Sequence, residues 1–108
     1  MTRQLTRETI QVGQVVGYQF GWSMTLYDFY KVMEVKGSTV LLAPVETKET
    51  PYGFLQVEVI PTDKVRTDKP LLKKRFNKYN ELKSEAGRYG HRMFIVELGE
   101  AFHENHAD

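Results

Sequence analysis

The chain of 108 residues contains no cysteine, so disulfide staples and thiolate metal sites are excluded. It has four prolines, and no apolar run comes near the roughly 18 residues that mark a membrane-crossing helix. The opening MTRQLTRETIQ is polar and lacks the apolar stretch of a secretory signal. Together these absences lead us to expect a cytoplasmic protein. The sequences HExxH, GxGxxG, GxSxG and the phosphate-cradling P-loop are also missing, which removes the common catalytic signatures.

What is present belongs to an ordinary globular protein. Hydrophobic residues make up 41% and charged residues 27%, which is too apolar for disorder and, at this length, enough for one core. The expectation is a single domain over 1–108 with frayed ends at 1–9 and 99–108. The net charge of +1 conceals a segregation. Residues 1–63 balance to −2, residues 64–92 to +7, and residues 93–108 to −4. One basic segment thus stands between two acidic ones, and such a segment invites an anionic partner.

Periodicity supplies the fold class. In QVGQVVGYQFGW (11–22), Val16, Tyr18, Phe20 and Trp22 alternate, as on one face of a strand. LYDFYKVMEV (26–35), a turn at KGST, and TVLLAPVE (39–46) predict a hairpin. ETKETPYG (46–53) reads as a polar loop, FLQVEVIP (54–61) as a third strand, 61–70 as a connector and RMFIVEL (92–98) as a last strand. Between them Leu72, Phe76, Tyr79, Leu82 and Ala86 follow helical spacing, and Lys74 and Lys78 would share a strand face with Leu72 and Phe76. The pattern therefore predicts one amphipathic helix over about 71–86, with Pro70 in its first turn and Gly87 after its end. The whole reads as mainly β: a small, strongly bent antiparallel sheet or open barrel carrying that helix.

Two resemblances accompany this pattern. The opening VGQVV, followed by a loop and a long hairpin, is similar to Tudor-type and KOW-type barrels. GYQFGWSMTLYDFYKVMEVKGSTVLLAPV resembles a group of small, functionally uncharacterised phage and prophage proteins that have a Gly/Tyr/Trp-rich strand, Asp-Phe-Tyr and a Val-rich hairpin. Trp22, Asp28, Phe29, Tyr30 and Val32 carry the match, and IPTDK (60–64) and GRYGHRMF (87–94) extend it. The resemblance implies phage origin, and with it residence in the host cell cytoplasm. In that group the segment after IPT is more strand-like than helical.

Candidate functional residues fall into two sets. Lys73, Lys74, Arg75, Lys78, Lys83, Arg88 and Arg92 cluster in the basic segment, where Lys74 and Lys78 would repel each other one helical turn apart. A nucleic-acid backbone would relieve that repulsion. Six of the thirteen aromatic residues lie between 17 and 35. Tyr18, Phe20 and Phe29 suit the core; Trp22 and Tyr27, flanking the polar SMT, suit base stacking or a protein interface. His103 and His106 lie near Glu100, Glu104 and Asp108 but lack a third rigid ligand, so no metal or other cofactor is expected. Asp28 is expected to accept backbone donors at the loop-to-strand junction instead of acting as a general base. The expected function is non-enzymatic: an accessory protein contacting nucleic acid, or alternatively a phage-encoded inhibitor or modulator of a host nuclease or defence complex with an acidic surface.

Overall fold

A computed structural model describes residues 4–21, 24–84 and 90–106. Its seven strands are β1 (Val15–Phe20), β2 (Leu26–Lys36), β3 (Thr39–Gly53), β4 (Gln56–Val65), β5 (Leu72–Arg75), β6 (Phe94–Val96) and β7 (Phe102–Asn105). All pairings are antiparallel, in the order β6-β1-β2-β3-β4-β7, with β5 added to β3. The mainly β class is as expected, and the sheet curls into a half-barrel.

The curl originates in β3. Its first part pairs with β2 on one side and β5 on the other; from Val45 onward it pairs with β4 instead. The β2–β3 ladder runs from Lys36↔Thr39 to Tyr30↔Pro44, and register shifts at Val32/Glu34 and Val45/Thr47 mark bulges. Bulges bend a strand and increase its twist, so one long strand serves two sheet surfaces. Strand β7 then adds to β4, and Thr25 and Asn105 exchange two 2.9 Å backbone hydrogen bonds that fasten β7 to the entrance of β2. This strand lies within the 99–108 tail expected to fray; Phe102 and Glu104 face inward and give it something to bury. The other end is also tied down: Leu5 is fully buried.

Alternation places neighbours in different cores. Val16, Val32, Val40 and Leu42 form one cluster, covered by Leu5, Ile10, Phe76, Leu82 and Met93. Val15, Phe29, Val45, Val59 and Val96 form the second, inside the curl, with Tyr27, Phe94 and Phe102 at its margin. Gly17 allows this packing: a Cβ there would lie 2.7 Å from Phe29 Cδ1 and 2.9 Å from the Asp28 carbonyl oxygen.

The expected helix over 71–86 is corrected: residues 71–84 are not helical, and Ala86 and Gly87 lie outside the described residues. Leu72 and Phe76 are four apart, a spacing that also keeps two residues on one face of a strand, and both reach the first core. Lys74 shares that face but carries its ammonium to the Ser84 carbonyl, so its stem lies along the sheet while its charge is satisfied. Beyond Phe76 the chain turns. Asn77 Oδ1 accepts the amides of Tyr79 (2.9 Å) and Glu81 (3.0 Å), an alternative to helical bonding that asparagine side chains readily offer. Tyr79 is exposed, not part of an apolar stripe. The 46–53 segment expected as a loop is instead the second half of β3, and 61–65 of the expected connector belongs to β4.

Candidate nucleic-acid interface

Strand β5 divides the predicted basic set. Leu72 and Lys74 point toward the first core; Lys73 and Arg75 point to the opposite face. There the register brings Lys36, Thr39 and Arg75 into one row across β2, β3 and β5, and Glu34, Leu41 and Lys73 into the next. Lys36, Lys73 and Arg75 are all exposed, and none forms an ion pair among the described residues. A shallow cleft of about 330 Å³ lies on this face, lined by Glu34, Lys36, Thr39, Leu41 and Lys73. Neighbouring strands are only about 5 Å apart, so three cations and one carboxylate share a small area.

The remaining predicted cations lie elsewhere. Arg92 pairs with Glu81 at 3.5 Å and sits opposite Lys83 in an isolated bridge. Lys78 follows the end of β5, its ammonium 5.2 Å from the centre of the Tyr79 ring. Arg88 lies outside the described residues, as does Trp22. The one-turn repulsion between Lys74 and Lys78 disappears with the helix. Lys36 escaped sequence reasoning, because its membership depends on β5 pairing with β3, which no local pattern announces.

The aromatic set is also redistributed. Tyr27 is half-buried, stacked on Phe29 at 6.0 Å and tilted against Phe102 at 5.0 Å, so it belongs to the second core and not to an open platform. Phe29 is buried as expected, while Tyr18 and Phe20 are only partly so. Tyr18 stacks between Tyr30 (6.3 Å) and His91 (6.5 Å) and donates its hydroxyl to Asp28 Oδ2 at 2.9 Å. The donor to Asp28 is thus a side-chain hydroxyl across the ladder, not the backbone donors expected of it. Burial, reinforced by Asp28, pushes the Tyr18 hydroxyl well above the usual tyrosine range, and Tyr30 is raised for the same two reasons.

In the tail, His103 meets Tyr52 edge-on at 5.1 Å, and His106 Nε2 lies 3.2 Å from Glu104 Oε1. Among the described residues no three His, Asp or Glu side chains are grouped to hold a metal ion. The most exposed large apolar side chain among the described residues is Phe54, 89% exposed at the β3–β4 tip, which sequence reasoning missed.

No family model, no curated protein and no solved structure matches the chain.

Proposed function

We propose that this is a non-catalytic, phage-type accessory protein that contacts nucleic acid through the open face of β2, β3 and β5. The observation that carries the reading is the row geometry of Lys36, Lys73 and Arg75, three exposed cations without ion-pair partners among the described residues. Such a cluster costs stability through self-repulsion, and phosphates would relieve it. The sequence-adjacent Lys74 serves the fold instead.

Filter binding of oligonucleotides at two salt concentrations tests the reading. Neutralising about three phosphates gives a slope of log affinity against log salt of about −2 to −3. The triple variant Lys36→Glu, Lys73→Glu, Arg75→Glu is expected to abolish retention. Lys64→Glu, a cation already paired with Glu46 at 3.4 Å on the hairpin, is expected to leave retention unchanged. Equal binding by the triple variant and the wild type would overturn the proposal.

A second reading, modulation of a host nuclease or defence complex, is favoured by the hairpin tip. Phe54 projects there beside exposed Tyr52 and Leu55, the type of aromatic and apolar anchor that fills a partner's pocket. A host protein retained after nuclease treatment separates this reading from the first.

A further inference from the structure

Tyr79 is 70% exposed, an unusual position for a large ring on a turn so well braced by its neighbours. Asn77 Oδ1 accepts the Tyr79 and Glu81 amides, Asn77 N donates to the Glu81 carbonyl (3.0 Å), and Asn80 N donates to the Asn77 carbonyl (3.0 Å). Asn80 takes the left-handed conformation at φ 61° and binds outward as well. Its Oδ1 accepts Arg7 N (2.9 Å) and Arg7 Nε (3.1 Å), and its Nδ2 donates to Glu8 Oε2 (2.7 Å). Next door, Phe76 is fixed in the first core. The backbone flanking Tyr79 is therefore held through Asn77, Asn80 and the packed Phe76, while the ring itself stays exposed with the Lys78 ammonium near its face.

A braced turn that spends nothing on burying its ring has the properties of a preorganised contact, since the ordering cost of binding is already met. The turn follows β5 in the chain, so Tyr79 stands four residues after Arg75 of the basic face, a span of at most about 14 Å that a nucleic-acid strand can bridge. An exposed aromatic ring with a cation at its face is the arrangement on which an unpaired base stacks, the cation adding attraction to the ring face. In a duplex both faces of each internal base are already occupied.

We infer that Lys78 and Tyr79 form a base-stacking platform and that the nucleic acid taken by the basic face is single-stranded. This rests on the function proposed above. The test compares a fluorescently labelled single-stranded oligonucleotide with its own duplex by anisotropy, using the full chain. The single strand is expected to bind more tightly than the duplex. Tyr79→Ala is expected to weaken single-strand binding about tenfold or more and to leave duplex binding unchanged. Tyr79→Phe, which keeps the ring, is expected to stay within about twofold of wild type. If Tyr79→Ala binds the single strand like wild type while the triple charge reversal abolishes binding, the stacking inference falls and the basic-face reading stands. If the triple reversal changes nothing, or no oligonucleotide binds at all, both fall.

Discussion

Tyr18 shows how a polar group can be seated on an otherwise apolar sheet face. Its ring stacks with Tyr30, and its hydroxyl donates to Asp28 directly across the β1–β2 ladder. Burial and the adjacent carboxylate both disfavour the tyrosinate, so the folded protein holds this proton more tightly than the unfolded chain does. An unfolded tyrosine ionises near pH 10. The stabilisation linked to Tyr18 is therefore complete below about pH 10 and drains away as pH rises beyond it, because only the unfolded state releases the proton. Tyr18→Phe is expected to be less stable than wild type at neutral pH by about 1 kcal/mol through the lost hydrogen bond. The gap should narrow above pH 10, since phenylalanine has nothing to ionise. Urea unfolding of both proteins between pH 8 and pH 11 measures it; a constant gap would contradict the role given to the Asp28 contact.

The β3–β4 hairpin carries the least conventional turn. Leu55 adopts φ 58° between the paired residues Gly53 and Gln56, in the left-handed region where Gly or Asn is preferred. Its carbonyl accepts the His106 amide at 2.7 Å, which anchors the turn to the end of β7. Leu55→Gly should retain that backbone bond and relieve the strain, raising stability by about 0.5–1 kcal/mol in chemical denaturation. A loss of stability would mean that the partly exposed leucine side chain contributes more than its backbone costs. The same hairpin marks the limit of what could be read from residues alone. Alternation in VVGYQF and LYDFY, and the Gly37 turn, made β1, β2 and the start of β3 legible. The polar run ETKETPY concealed the rest of β3, because that stretch lies on a half-open surface where its ladder with β4, not apolar alternation, holds it extended. Spacing alone could not distinguish Leu72 and Phe76 on a strand from the same pair on a helix. The deciding facts were non-local: β5 adds to β3, and the two asparagines at 77 and 80 take over the backbone bonding. The basic site was half legible for that reason. Lys73 and Arg75 stood in the right segment, but their separation from Lys74 and their union with Lys36 exist only once the strands pair.

The assembled molecule has two unlike flanks. The β2–β3 and β5 end carries Lys36, Lys73 and Arg75 in adjacent rows, and another flank is closed by β7, whose inward face holds Phe102 and Glu104. Its closure depends on few groups: the Thr25–Asn105 backbone pair, Phe102 among Tyr27, Phe29 and Phe94, and the Glu104 carboxylate. Glu104 is the one buried charged side chain among the described residues. Its Oε2 accepts the Tyr27 amide at 2.9 Å and its Oε1 faces His106, so the carboxylate stands in for the strand partner that β2 loses where β3 bends away. That substitution couples the two sheet surfaces beside the single Thr25–Asn105 backbone bridge. Removing it leaves a polar N–H without its acceptor at the seam, a cost of about 1–3 kcal/mol. Glu104→Ala is therefore expected to lower stability by that amount and to accelerate hydrogen exchange at the Tyr27 and Thr25 amides, with slower-exchanging amides of β1 and β2 much less affected. Glu104→Gln keeps an acceptor oxygen and should recover most of the protection. If both variants exchange at the seam like wild type, closure is held by Phe102 packing and the Thr25–Asn105 bonds alone, and the carboxylate has no part in joining the two halves of the curl.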